Sequence, residues 1–355
     1  GMYFVIAGWG HGNARRSALK FFLYTFLGSL ALLLGFIGLY LNSSPHTFDM
    51  IELSQAGAFT GNAVTGGLIL TAIVVGLAIK TPTFPFHSWL PPAHTDAPSI
   101  GSVVLAAVML KMGTYGFVRI AMPMLSDAWR AGAWVIVAVG IVSVLYGALV
   151  ALAQTDVKRM IAFTSINHMG YVILAVGAAG IVSQDSEQAQ HLAITGAVIQ
   201  MVSHGLITGA LFLLAGVFWD RTGSYDLRRY GGLASPAPRF AGFFAIAAFA
   251  SLGLPGFSGF IAEFQIFTGS IGTTLWAALA LPGILIVAVL FLRAFQRVFT
   301  GPTTGLSPGF DDLRPREIVP LVVLLGLSVI IGIFPGPLIE LIAPAADQLI
   351  GVLGP

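Results

Sequence analysis

Residues 131–153 read AGAWVIVAVGIVSVLYGALVALA, a stretch without a charged side chain or a proline. At 1.5 Å rise per residue it makes a helix of about 34 Å, enough to cross a hydrocarbon layer about 30 Å thick. Eight further runs of the same kind lie at roughly 21–41, 62–90, 99–122, 158–180, 191–218, 240–270, 273–297 and 317–335. The whole chain of 355 residues is 56% apolar and 9% charged, against about 25% charged in an ordinary soluble domain. Too few charges are present to clothe a water-soluble surface, so the solvent is largely lipid. The 17 Lys and Arg nearly balance the 15 Asp and Glu, which gives no support to nucleic-acid binding. The absence of cysteine removes disulfides, thiolate metal sites, iron–sulfur ligation and cysteine nucleophiles.

The expected fold is therefore all-α, a polytopic transmembrane helical bundle. Positive charge tests the span count, because loops on one side of a membrane collect Lys and Arg. Taking alternate loops, one side holds Arg15, Arg16, Lys20, Lys158, Arg159 and eight arginines between 221 and 316, and the other holds Arg119 and Arg130. The lopsided count places residues 9–20 in the cytoplasm and the C-terminus outside. The opening GMYFVIAG is apolar but too short to span and lacks the features of a signal peptide, so it reads as the end of a helix whose upstream neighbours precede residue 1.

Two spans are interrupted in the same manner. In IKTPTFPFHSWLPP (79–92), Pro82 and Pro85 remove amide donors just after Lys80. In ASLGLPGFSGFIAEF (250–264), Gly253, Pro255, Gly256 and Gly259 interrupt an otherwise apolar run ahead of Glu263. Paired breaks beside ionisable residues are the mark of repeated transporter folds with a pathway at unwound helix midpoints. They predict an internally repeated fold with two discontinuous helices, although Gly and Pro also mark ordinary helix ends and tight loops.

Five ionisable side chains stand where lipid-embedded ones are costly. Lys111 lies about a dozen residues into VVLAAVMLKMGTYGFVRI (103–120), too deep to reach either surface easily, with Thr114 and Tyr115 on its helical face. Such a lysine takes and releases a proton as its surroundings change, or else bridges helices through carbonyls. Lys80 has two readings: interfacial if its helix ends at Thr81, mid-span beside unwound backbone if the span continues to Leu90. Glu263 needs protonation or a basic partner. His168 shares a stripe with Thr164 and Tyr171, and His204 shares one with Gln200 and Thr208. Histidine titrates near neutrality, so polar stripes around it suit proton relay, with helix-to-helix hydrogen bonding as the simpler reading. Asp156, Lys158 and Arg159 read as a solvated cytoplasmic loop. No phosphate-cradling loop, hydrolase elbow, zincin pair or haem motif is present. The residues alone indicate a proton or cation path through a helical bundle.

At residues 79–119, 154–172 (QTDVKRMIAFTSINHMGYV), 200–227 (QMVSHGLITGALFLLAGVFWDRTGSYDL) and 252–264 the chain resembles the antiporter-like subunits of respiratory complex I, most closely those of M type. The resemblance implies a single integral membrane domain over residues 1–355 that contains two inverted five-helix repeats. Part of the first would occupy about 1–122 and the second about 131–299, with a C-terminal helix at about 317–335 and further helices upstream. It implies that Lys80, Lys111, His168, His204 and Glu263 carry protons, and that this subunit of NADH:quinone oxidoreductase is redox-inactive. No cofactor is then expected on this chain; flavin, iron–sulfur clusters and quinone belong to other subunits. The expected partners are L-, N- and K-like membrane subunits and lipids, not nucleic acid, in a bacterial inner membrane. The acid at Glu263 favours the M type over L, N and Mrp-type relatives, which usually carry lysine there. Two departures stand out: Pro92 replaces the acid of the usual WLPDAH, and the family's glutamate partner of the first lysine would fall upstream of residue 1. The alternatives are an Mrp-type Na⁺/H⁺ antiporter or membrane-bound hydrogenase subunit, or a scaffold without transport.

Overall fold

The computed structural model describes residues 1–55, 58–181 and 186–354. Thirteen helices organise it: α1 (Met2–Trp9), α2 (Ala14–Leu41), α3 (Ala63–Lys80), α4 (Leu90–Asp96), α5 (Ser99–Met124), α6 (Ser126–Leu152), α7 (Val157–Ala179), α8 (Glu187–Thr222), α9 (Pro238–Ser251), α10 (Ser258–Thr273), α11 (Leu275–Phe299), α12 (Pro315–Ile333) and α13 (Gly336–Leu353). Among the described residues, strand is limited to a two-residue antiparallel pairing of Tyr230–Gly231 with Thr304–Gly305. Nine helices among the described residues are long and apolar enough to cross a membrane. The all-α transmembrane expectation holds.

At the centre stands α7, whose residues from Met160 to Ala179 are all buried. Its closest neighbour is α6, and the sequence explains why. Gly140 and Gly147 of α6 face the backbone of Leu174 and Asn167, while Gly170 and Gly177 of α7 face that of Val144 and Val137. A Cβ at any of the four would come within 2.5–2.8 Å of the opposite chain. Small residues let the two backbones approach, which is how helices gain packing where lipid supplies no hydrophobic drive. Asn167 adds a hydrogen bond from its amide to Val144 O at 2.9 Å.

Both expected breaks are present. After Lys80 the chain turns through residues 81–89 before resuming as α4, so the run 62–90 is not one span. The freed backbone is served by side chains: Trp89 Nε1 donates to Ile79 O at 2.9 Å, and Phe84 N donates to Ser143 Oγ at 3.0 Å. The end of α3 nevertheless lies at membrane depth. It crosses the middle of α5 so closely that a Cβ at Gly113 would sit 2.9 Å from Leu77 O. Trp89 is 1% exposed. Trp89→Phe keeps the ring but leaves the Ile79 carbonyl buried without its donor, so thermal unfolding of the purified protein should report a loss of about 1–3 kcal/mol.

The run 240–270 resolves into α9 and α10, separated by residues 252–257. The expected end of helical structure near 335 is corrected, because α13 follows. Pro344, Glu340 and Asp347 dilute its apolar run, which hid it in the sequence. Together α12 and α13 track the 36-residue α8 from end to end. Arg221, at the C-terminal end of α8, pairs with Glu317 at 2.7 Å. Midway, Ser203 of α8, Ser258 of α10 and Ser328 of α12 join by two hydroxyl contacts of 2.8 Å. Beyond the kink at Phe334 and Pro335, Ile342 packs on Ile199 and Ala262, and Asp347 lies 3.3 Å from His191. Leu353 O accepts from Arg130 at the start of α6.

The basic residues gather at the other end. Arg16, Lys20 and Arg159 line one cavity there, and Arg228, Arg293 and Arg297 line another.

Candidate functional site

Four of the five ionisable residues singled out above meet in the middle of the bundle, each delivered by a different helix. Lys111 comes from α5, His204 from α8, His168 from α7 and Glu263 from α10. The helix carrying Lys111 is wound as π-helix on both sides, at Leu105–Met109 and Phe117–Ala121. Such segments loosen the regular ladder and recur at functional sites. The Lys111 ammonium donates to Ala106 O within the first of them, a carbonyl on its own helix. It also lies 2.6 Å from His204 Nδ1.

With Lys111 in its ammonium form the lysine donates, so Nδ1 of His204 accepts and the ring hydrogen is assigned to Nε2. The His204 and His168 rings follow at 5.5 Å between centroids, nearly perpendicular. His168 Nε2 lies 3.2 Å from Ser251 O, the last carbonyl of α9, and 3.9 Å from Glu263 Oε1. Between them is a cavity of about 10 Å³ lined by His168, Gln200, Ser203, His204, Ser251 and Glu263, room for about one water molecule. Among the described residues, His204 Nε2, Gln200 Oε1 and Ser251 Oγ are buried without a hydrogen-bond partner. Buried polar groups of this kind are what a bridging water serves.

The second break holds Glu263 in place. Gly253 has φ +75°, and a Cβ there would sit 2.5 Å from Glu263 Oε2. Glycine is needed twice over, for the left-handed backbone and for the approach of the carboxylate. Gly253→Ala should cost about 1–3 kcal/mol in unfolding measurements from the backbone alone, and it should displace Glu263 from His168.

Lys80 is not part of this line. It is half-buried at the end of α3, at the level of α5 where Gly113 crosses, and among the described residues no hydrogen bond or ion pair reaches its ammonium. Tyr115, expected beside Lys111, is 57% exposed and turned outward, whereas Thr114 is buried and donates to Lys111 O at 3.1 Å. The reading of Lys158 as a solvated loop residue is corrected. Its side chain is wholly buried, donating to Ala97 O at 2.6 Å and lying 4.8 Å from the centre of the Tyr225 ring. Only Arg159, its neighbour, is exposed.

His94 was missed altogether. It is fully buried, stacks on Phe212 at 4.5 Å, and neither ring nitrogen has a partner among the described residues. Its place in PPAHTD, after the break, offered no helical stripe from which burial could be read. Among the described residues no group of three or more His, Asp and Glu lies close enough to hold a metal ion.

Residues 1–289 match the model of the family NADH:quinone oxidoreductase/Mrp antiporter, TM, and the chain belongs to that family. It is 40% identical to the NADH-quinone oxidoreductase subunit M of Rickettsia bellii, covering 98% of this chain and 68% of that protein. Identity to the subunit M of Rhodobacter capsulatus is 36%, again over 98% of this chain and 68% of the relative. The fold superposes on a chain of respiratory complex I from Thermus thermophilus with TM-score 0.90 and 31% identity, over 100% of this chain and 73% of that one. A chain of the Mrp complex from a Dietzia species shares the fold alone, with TM-score 0.82 and 23% identity, over 99% of this chain and 73% of that one. The resemblance read from the four sequence motifs is borne out.

Proposed function

We propose that this chain is a redox-inactive, proton-translocating membrane subunit of a bacterial NADH:quinone oxidoreductase, moving protons along Lys111, His204, His168 and Glu263. The observation that carries the reading is the geometry of the line itself: four proton-bearing groups from four helices, spaced so that each faces the next directly or across the small cavity. The 40% identity to a subunit M and the match to a complex I chain supply the setting.

A proton leaving Lys111 arrives at His204 Nδ1, while the hydrogen on Nε2 departs toward the cavity. Imidazole thus passes a proton through without rotating, because its two nitrogens face different partners. From the cavity the proton reaches His168 and then Glu263. An ionised glutamate beside a protonated histidine and the neutral pair carry the same net charge, so the step between them moves a proton without creating charge in a medium of low dielectric constant. Charge changes in neighbouring subunits then drive the line through Coulomb coupling.

Lys80 delivers protons from the positively charged end, taken as cytoplasmic, and the C-terminus at the Arg130 end faces outward. The two breaks occupy corresponding places in inverted repeats of about 1–122 and 131–299. Flavin, iron–sulfur clusters and quinone sit on other subunits, and L-, N- and K-like chains flank this one.

The test uses the intact complex in proteoliposomes. His204→Leu fills the volume but cannot accept from Lys111, so protons moved per quinone reduced should fall while the complex still assembles. An unchanged proton stoichiometry would overturn the assignment.

A further inference from the structure

A second cavity, of about 340 Å³, opens at the positive end of the bundle and takes no part in the proton line. It lies where the end of α6 and the start of α7 meet the C-terminal turns of α11. Arg228, Arg293 and Arg297 line it together with the polar Gln154, Thr155 and Gln296, and its buried lining residues, Met160 and Leu290 among them, are apolar. Arg228 is committed to Asp226, with guanidinium-to-carboxylate contacts of 2.8 and 2.9 Å. That bond, with the nearby charge of Arg297 adding to it, holds the Asp226 carboxyl below the usual carboxylate range; its hydrogen bonds go to Arg228. Arg293 and Arg297 make no hydrogen bond or ion pair among the described residues and are exposed. The cavity therefore presents two guanidinium groups without a hydrogen-bond partner among the described residues, beside the buried apolar side chains of Met160 and Leu290.

The pattern along α11 says what those groups meet. Leu285, Val289, Arg293 and Arg297 follow one another at four-residue spacing, so they form one stripe down the helix. Leu285 and Val289 are exposed toward the membrane, as is Leu149 on the adjoining stretch of α6. An apolar track at hydrocarbon depth thus ends in arginines at the level where headgroups begin. Guanidinium binds phosphate oxygens in pairs, and basic pockets between transmembrane helices on the cytoplasmic side suit anionic headgroups.

We propose that this cavity binds the headgroup phosphate of an anionic phospholipid, with an acyl chain lying along the Leu285 and Val289 track. A free anion would use the arginines but has no use for the apolar side chains and track, which is why the lipid is favoured.

The membrane complex containing this chain is purified in mild detergent, and its phosphatidylglycerol and cardiolipin are counted per complex by mass spectrometry of the extract. Arg293→Gln with Arg297→Gln should lose at least one tightly held anionic lipid per complex. The same replacement at Arg239, exposed at the same end but outside the cavity, should retain it. Arg293→Lys with Arg297→Lys keeps the charge and should retain most of it. Equal lipid content in the double glutamine variant and the parent would overturn the proposal, as would an equal loss from Arg239→Gln. Unchanged lipid content in the double glutamine variant, with inorganic phosphate binding to the parent complex and not to the variant, would assign the cavity to a free anion instead. Loss of a neighbouring membrane subunit with the lipid retained would assign it to an acidic protein surface.

Discussion

In Lys111→Ala, proton movement through this chain should fall at least about 100-fold, the lower range for removing a positioned proton-transfer group. The measurement is the rate of proton uptake into vesicles holding the intact complex, divided by the rate of quinone reduction. Two partners lose their contact at once: the Ala106 carbonyl within the π-helical segment and His204 Nδ1. With no ammonium to fix it, the imidazole of His204 loses its orientation as well as its proton source. Lys111→Arg makes the informative companion, since guanidinium keeps a positive charge but does not release its proton. Full pumping in Lys111→Arg would show that the group acts only as a fixed charge. Assembly is expected to survive, because the packing that holds α5 near Gly113 is backbone-close and does not involve the lysine.

Glu263→Gln should have an effect of similar size for a different reason. Glutamine preserves the shape and a hydrogen-bonding carbonyl 3.9 Å from His168, yet it cannot bind and release a proton. If protons leave through this residue, the loss of flux should again reach about 100-fold. If Lys111 and Glu263 act in one series, as proposed, the double variant should be no worse than either single one, a non-additivity expected of residues that function as a unit. Additive losses in the double variant would mean two parallel paths and would break the line into separate parts.

The residues most legible in the sequence were those whose chemistry conflicts with lipid. Lys111, His168, His204 and Glu263 stood out because an ionisable group in a long apolar run has a cost that demands a function or a partner. The glycines and prolines of the two breaks were equally plain, since each removes a donor or permits a backbone that the run around it would not adopt. Lys158 and His94 were hidden by their neighbours. Lys158 sits beside Asp156 and Arg159, so its charge was read as part of a wet cluster, although the helix turns Arg159 outward and Lys158 inward. His94 lies in a short helix after the break, where neither period nor length signals burial. The tail was misread for the opposite reason: α13 carries acids and a proline that diluted its apolar signal, while its partner α8 gives it a surface to follow.

The enclosure of α7 by other helices has a consequence for how this protein tolerates change. A helix that touches lipid is selected for greasiness on its outer side, and any residue of suitable apolarity serves there. A helix sealed on every side answers to volume and to the hydrogen-bonding needs of its neighbours instead. That explains how Thr164, Ser165, Asn167 and His168 stand within five residues of a membrane helix. It also means that substitutions on α7 should sort by size rather than by hydrophobicity, the reverse of the ordering expected on α2, whose outward face is lined with exposed leucine and phenylalanine.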